Sequence, residues 1–420
     1  MDLVTLIAAV PPEPSPLTIG LRAVAVLCGL GAGLAVILVL SDYFFASYGE
    51  CKIDVNNGAK EYTVQGGLTL LNALAEQKLF IPSACGGQGT CSYCKVKVLS
   101  DIGPILPTEM GQLTRLERKQ NIRLSCQIKV KGDLRIEVPE EYFAIQEFRC
   151  EVLSNKQVTD DIVEIQFKLV EPDRMKFQAG KYVQVRIPRD EGLRRMRGVF
   201  GKYDFTGFNE RKIDLEKVPK EKFINRAYSM SNSPGRDDIV ELDVRIAPPP
   251  RETPDAPPGF ASSYIWSLKE GEEVWVTGPY GDFFIKETEN PKIFIGGGAG
   301  MAPMKAMILE LFEVRKTTCT VKFFYGARAK KDIFYTDIFQ KIADEHENFE
   351  YTVALSEPAP DDHWDGPTEF VHLTVEKALK DFGYVGNEYY LCGPPLMVDA
   401  CTAMLAQKNV PESDVAFDKF

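Results

Sequence analysis

Histidine is nearly absent from this chain. Only His346, His363 and His372 occur in 420 residues. That is too little material for a histidine metal centre or a Ser-His-Asp triad, and each reads as a surface or packing residue. Basic charge is also short. The chain has 49 Lys and Arg against 60 Asp and Glu, a net charge of −11. The basic face that phosphate backbones demand is missing, so no nucleic-acid partner is expected. The ten cysteines are too scattered for the disulfide framework of a small secreted domain. Cys28, Cys51, Cys150, Cys319 and Cys401 stand alone and read as small buried hydrophobes. A hydrophobic share of 45% and a charged share of 26% describe folded material with a core, enough for about two to four domains.

Long apolar runs are confined to one place. Residues 23–40 read AVAVLCGLGAGLAVILVL, with no charge until Asp42. At about 1.5 Å per residue this nearly spans a hydrocarbon core of roughly 30 Å. Tyr43, Phe44, Phe45 and Tyr48 follow as an interfacial aromatic belt. A cleaved signal peptide would have a shorter apolar run and a small-x-small cleavage site, which is not evident. Residues 1–48 are therefore expected to supply one N-terminal transmembrane helix. Few Lys or Arg flank it, so charge does not set its orientation.

From residue 49 to 140 the character changes. Cys85, Cys91 and Cys94 share one loop, CGGQGTCSYC, and Cys126 follows in LSCQI. Three thiolates from a loop and one from a distant strand can converge on two irons. Gly86, Gly87 and Gly89 let the loop curl so that backbone N–H groups approach the sulfurs. The C-x5-C-x2-C spacing matches vertebrate- and bacterial-type 2Fe–2S ferredoxins. A four-cysteine zinc site is the rival, but zinc knuckles come as short-spaced pairs, and only Cys91 and Cys94 form one. Strands CKIDV and EYTVQ, turned at Asn56-Asn57-Gly58, a helix over LTLLNALAEQ and further strands CKVKVLS and LRIEV predict a β-grasp fold.

Residues 145–286 carry many short alternating strands, which predict an antiparallel β-barrel. Within it stands Arg226-Ala227-Tyr228-Ser229. On a strand Arg226 and Tyr228 share a face. A guanidinium holds a pyrophosphate by paired hydrogen bonds, a tyrosine stacks on a flavin ring, and the Ser229 hydroxyl reaches toward its N5. Gly259-Phe260-Ala261-Ser262 reads as a loop entering a helix whose N–H groups, with the Ser262 hydroxyl, face a phosphate. The pattern points to FAD. Residues 189–223, charged and irregular, and 247–258, rich in proline, read as inserted loops.

Residues 290–420 alternate strand and helix, which predicts an α/β doubly wound sheet. KIFIGGGAGMAPMKAM places Gly296, Gly297, Gly298, Ala299 and Gly300 between a strand and a helix, where a pyrophosphate can sit. Cys392, Gly393 and Pro394 end the strand EYYL, on the sheet edge that lines the ligand crevice. Cys392 is expected beside a nicotinamide, and the terminal Phe420 over the flavin ring. Arg328, Lys330 and Lys331 are placed to grip a 2′-phosphate, which leaves the choice between NADH and NADPH open.

With these parts in order, the chain resembles the F subunit of the sodium-translocating NADH:quinone oxidoreductases. The likeness rests on the cluster cysteines, RAYSMSNSP, PPGFASSYIWSL, IGGGAGMAPM, YGAR, ALSEP with its following WDG and FVH, and YYLCGPPLM. It implies FAD on Arg226, Tyr228, Ser229 and Ser262, NADH on Gly296 to Gly300 and Cys392, and one 2Fe–2S cluster. It further implies partner subunits of a membrane complex in the bacterial inner (cytoplasmic) membrane and quinone as indirect acceptor; because the cofactors need reduced thiolates and cellular NADH, the soluble domains are expected to face the cytoplasm. The electron count agrees. NADH gives two electrons at once as hydride and the cluster takes one, so a flavin between them must store two and release them singly. Ser229, Cys392 and Phe420 are the expected residues of the reacting centre. A soluble oxygenase reductase and a non-catalytic redox sensor are the alternatives. One helix without carboxylates forms no ion path, so sodium coupling would belong to partner subunits.

Overall fold

The computed structural model describes residues 24–37, 48–200, 222–248 and 258–419. At its start lies helix α1 (residues 24–37), exposed along its whole length. Among the described residues no helix is long and apolar enough to cross a membrane. The described part of the expected span is helical but covers only about 20 Å at the α-helical rise, short of a bilayer core. Tyr43, Phe44 and Phe45 lie outside the described residues. Cys28, expected to be buried, is exposed on α1, whereas Cys51, Cys150, Cys319 and Cys401 are buried.

The first sheet comprises β1 (Glu50–Val55), β2 (Lys60–Gln65), β3 (Lys95–Val98), β4 (Ile122–Leu124) and β5 (Leu134–Glu137), in the order β2-β1-β5-β3-β4. Only β1 and β5 run parallel. Helix α2 (Leu70–Glu76) is capped by the Thr69 hydroxyl and lays Leu70, Ala73 and Leu74 on the sheet, the spacing of one helical stripe. Short helices α3 (Pro107–Met110) and α4 (Arg115–Lys119) follow β3. Arg123 on β4 donates to buried Glu109 at 2.6 Å, tying α3 to the sheet. Burial pushes the Glu109 carboxyl up, but bonds from Arg123 and the Leu106 and Leu124 N–H groups outweigh it and hold the group below its usual range.

The second sheet contains β6 (Gln146–Gln157), β7 (Ile162–Glu171), β8 (Tyr182–Pro188), β9 (Phe223–Ser229), β10 (Ile239–Arg245) and β11 (Glu273–Tyr280). Its order is β10-β7-β6-β11-β8-β9, antiparallel throughout. A bridge between Met230 and Leu242 joins the two edges and closes the barrel. The expected loop after residue 189 begins instead with helix α5 (Arg189–Phe200). Leu193, Met196 and Val199 fall on one face by their spacing, and Leu193 and Met196 pack onto the barrel core. Arg195 pairs with Glu191 and, at 2.9 Å, with Glu272. Helix α6 (Phe260–Trp266) packs against α5 and the barrel.

The third sheet is parallel throughout: β12 (Lys292–Gly297), β13 (Val321–Ala327), β14 (Phe349–Leu355), β15 (Glu388–Gly393) and β16 (Val415–Lys419), in the order β14-β13-β12-β15-β16. Alternate strand residues serve two cores. Phe294, Phe323, Tyr325 and Tyr390 meet α7 (Met301–Leu309) and α8 (Thr336–Glu345). Ile293, Ile295, Phe324 and Leu391 meet α9 (Val371–Ala378) and α10 (Pro395–Gln407). The chain winds one way from β12 to β14 and the other way from β15 to β16. The crevice of such a sheet therefore opens between the C-terminal ends of β12 and β15.

Candidate redox centre

The four expected cluster thiols fall into two pairs. Cys94 and Cys126 approach to 3.3 Å between sulfurs, and Cys85 and Cys91 titrate as a pair. The bond from the Cys91 thiol holds Cys85 at about 3, against burial, and the Thr90 and Cys91 N–H groups add to it. The bond from Cys94 likewise holds Cys126 at about 7. Cys91 and Cys94, the donors, are pushed well up. Each pair thus shares one proton, and an iron in its place would satisfy both sulfurs. Among the described residues no three His, Cys, Asp or Glu side chains converge as on a single ion. Two pairs of thiols fit a two-iron cluster, with two cysteines on each iron, better than one zinc. The backbone N–H groups of Thr90, Tyr93 and Gly89 lower the Cys85, Cys91 and Cys126 thiols respectively.

This loop rests on the barrel strand that carries the flavin motif. A Cβ at Gly86 would lie 1.9 Å from the Arg226 guanidinium and 2.3 Å from the Asn225 carbonyl, and Gly86 has φ +66°. Gly86→Ala should therefore force the cluster loop off β9. The expected result is severalfold slower passage of electrons from flavin to cluster with unchanged flavin reduction by NADH, resolved by stopped-flow absorbance at the two chromophores.

On β9, Arg226 donates to the Asn225 carbonyl at 2.9 Å. Tyr228 packs partly buried against the barrel core, and Ser229 lies opposite Tyr182 on β8. Ser262 lies in α6, which packs on β9. Its hydroxyl donates to Gly259 at 2.9 Å and accepts from the Ala247 N–H at 3.2 Å, so it ties Ala247 to Gly259. A flavin fits beside these elements by the chemistry of the set: a guanidinium, an aromatic ring and hydroxyls on one strand–helix unit.

An aromatic chain that sequence reasoning missed links loop and barrel. Tyr93, between two cluster cysteines, meets the Tyr182 ring edge-on at 6.4 Å, and Tyr182 stacks on Tyr280 at 5.3 Å. Asp418 on β16 faces Tyr93, Tyr182 and Cys392 electrostatically. Only the CSYC spacing hinted at Tyr93. Phe420, two residues further on, lies outside the described residues.

At the β12–β15 crevice, Gly298 takes φ +56°, and Tyr325 bonds its carbonyl at 3.3 Å. Gly300 lies against the Cys392 backbone; a Cβ there would meet the Cys392 carbonyl oxygen at 2.1 Å. The glycine turn and the Cys392-Gly393-Pro394 segment are thus in contact. The Cys392 thiol is fully buried. Burial first, then Asp418, pushes it well above the usual thiol range, so it packs as a neutral group. A cavity of about 530 Å³ opens beside the turn, lined by Gly297, Gly298, Arg328, Glu357, Phe370 and Pro394 among others. Lys331 pairs with Asp160 at 2.8 Å and Lys330 reaches the Asp362 carbonyl at 3.2 Å. Neither is therefore committed to a 2′-phosphate.

A two-pair thiol loop, a closed flavin-type barrel and a parallel nucleotide-binding sheet in one chain define the class of iron–sulfur flavoprotein reductases. Residues 53–131 match the 2Fe-2S iron-sulfur cluster binding domain, and residues 294–403 match the oxidoreductase NAD-binding domain. The solved ferredoxin reductase in carbazole 1,9a-dioxygenase is similar at a TM-score of 0.60 and 26% identity, over 88% of this chain and 98% of that one. The F subunit of the Na(+)-translocating NADH-quinone reductase of Neisseria meningitidis is 42% identical over 92% of this chain and 96% of its own length. That of Haemophilus ducreyi is 41% identical over 92% and 95%. The chain belongs to the family formed by the F subunits of Na(+)-translocating NADH-quinone reductases.

Proposed function

We propose that this chain is the electron entry of a sodium-translocating NADH:quinone reductase, passing hydride from NADH to FAD and single electrons through a 2Fe–2S cluster to partner subunits. The observation that carries the reading is the contact of Gly86 in the cysteine loop with Arg226 in the flavin motif. It supports a reading in which the one-electron and two-electron sites lie side by side in one polypeptide. Family membership at 42% identity supports this reading over the oxygenase-reductase alternative, whose solved relative stands at 26%.

In this reading Arg226, Tyr228, Ser229 and the α6 start with Ser262 bind FAD. Gly296 to Gly300 and Cys392 to Pro394 bind NADH, with the Cys392 thiol excluding water rather than reacting. When bound, the flavin supplies the two-to-one electron conversion, and the chain supplies alignment. Phe420 is assigned to the flavin face. The exposed side chains of Leu27, Leu30, Leu34 and Ile37 on α1 support an N-terminal membrane anchor, because such a contiguous apolar surface needs an apolar surrounding. The need for reduced thiolates and NADH supports a cytoplasmic side of the bacterial inner membrane for the rest.

The test is a visible spectrum of the purified chain, reconstituted with FAD, iron and sulfide, before and after anaerobic NADH. Flavin bleaching followed by cluster bleaching is expected. A colourless protein, or zinc on the four thiols, would defeat the reading.

A further inference from the structure

The barrel meets the parallel sheet through a buried polar cluster that the reading above leaves without a role. Glu241 and Asp243 lie on β10, Glu164 on β7, Lys305 on α7 and Tyr335 at the start of α8. Glu241, Asp243 and Lys305 are 6%, 5% and 4% exposed. The Lys305 ammonium lies 2.6 Å from Glu241 and 3.8 Å from Glu164, and 3.7 Å over the Tyr335 ring. Ser231 and Gln166 donate to the Glu241 carboxylate at 2.9 and 2.7 Å. Tyr335 holds φ +62°, a conformation that an L-residue keeps only where its surroundings enforce it.

Counting hydrogens decides the charge state. The Tyr335 oxygen lies 2.7 Å from Glu164 Oε2 and 2.7 Å from Asp243 Oδ1. A phenol has one hydrogen to give. Asp243 Oδ2 is buried and has no hydrogen-bond partner among the described residues. An ionised Asp243 would set one oxygen against a phenol lone pair and leave the other unserved, a costly arrangement in a dry site. A proton on Oδ1 removes the conflict: Asp243 donates to Tyr335, and Tyr335 donates to Glu164.

The cluster also ties the two cofactor motifs together. Ser231, bonded to Glu241, lies two residues after Ser229 of the flavin strand. Lys305 lies on the helix that Gly300 begins. We propose that Asp243 retains its proton up into the neutral range, and that the Asp243–Tyr335–Glu164 chain with the Lys305–Glu241 pair is a proton-dependent clamp positioning the nicotinamide site against the flavin site. This inference rests on the electron-entry reading.

Asp243 is faced by Glu241 on its own strand, Glu164 from β7, Lys305 from α7, Tyr335 before α8 and Tyr325 from β13. Burial pushes its carboxyl up to about 7; Lys305 and Tyr335 oppose the shift, and Glu241 and Glu164 add to it. A carboxyl raised in the folded state stabilises that state while protonated. The clamp is therefore whole below that value and loosens as pH rises through it.

The test uses the full chain loaded with flavin and cluster. Infrared difference spectra across about pH 5.5 to 8.5 should show a buried protonated carboxyl that disappears on titration and is missing in Asp243→Asn. The limiting rate of flavin reduction by NADH should fall above pH 7 by at most about tenfold per unit, the limit for one proton. In Asp243→Asn, whose amide mimics the protonated acid, the profile should flatten over this range. Should that variant not fold, Glu164→Gln serves: Tyr335 is then freed to donate to an ionised Asp243, and both signals should move to lower pH. Absence of the carboxyl band, or an unchanged profile in a folded variant, overturns the clamp while flavin reduction itself stands. A flavin that NADH reduces at no pH overturns the electron-entry reading, and the clamp's role with it.

Discussion

Cys85→Ala should abolish electron delivery to quinone through the assembled complex while NADH still reduces the flavin. The choice of Cys85 follows from burial. Cys94 and Cys126 belong to the ferredoxin-type core with Leu70, Leu74 and Ile136, so truncating either would also open a cavity. Cys85 and Cys91 are only half-buried and stand outside that core. Loss of Cys85 removes one thiol of its pair and would leave the iron proposed there with one protein ligand. Disturbing a mere supporting contact of a metal ligand costs about 10–100-fold in affinity; removal of the ligand should cost more. The cluster absorbance should vanish, quinone reduction should drop to background, and stopped-flow flavin bleaching by NADH should keep its rate. Undiminished quinone reduction in the variant would remove the cluster from the electron path.

The parts of this site that were legible in the sequence are those written in short covalent spacing. The cysteine loop, the strand carrying Arg226 and Tyr228 and the turn from Gly296 to Gly300 each lie within a few residues, so local geometry carries the chemistry. The parallel sheet was legible because strands such as KIFIGG alternate with helices along residues 290–420. What stayed hidden needs tertiary structure. Nothing in the local sequence marks Glu164, Glu241, Asp243, Lys305 or Tyr335, and only the barrel–sheet contact brings them together. The pairing of the four thiols was likewise invisible, since spacing says that they gather but not how. Helix α5 was missed because its charged residues masked a three-residue apolar stripe; Glu191, Arg195 and Glu272 form an ion-pair group rather than an irregular loop. The bonds from Ser262 to Gly259 and Ala247 likewise carry no signal in the local sequence.

Gly300→Ala should cripple hydride entry while leaving both chromophores in place. Gly300 has φ −62°, which any residue adopts, so its need for glycine is not conformational. The need is space: a Cβ would stand 2.1 Å from the Cys392 oxygen, 2.4 Å from its carbonyl carbon and 2.7 Å from the Gly393 nitrogen. All three atoms are backbone, and no side chain can swing aside. The methyl must part the glycine turn from the end of β15, at an overpacking cost of about 1–3 kcal/mol. That displaces both walls of the β12–β15 crevice proposed for the nicotinamide. Misplacement by about 1 Å is enough to lower a well-aligned transfer roughly 10²-fold, so kcat/KM for NADH should fall by about that factor. Flavin content, cluster absorbance and reduction by dithionite should not change. Gly298→Ala separates the two reasons for glycine. Its φ is +56° and nothing lies within 4 Å of the added carbon, so it carries only the strain of a left-handed residue, about 1–2 kcal/mol, and should lose about tenfold or less. If Gly300→Ala oxidised NADH as fast as the parent chain, the β12–β15 crevice would not be where the dinucleotide binds. The cavity beside it would then need another occupant.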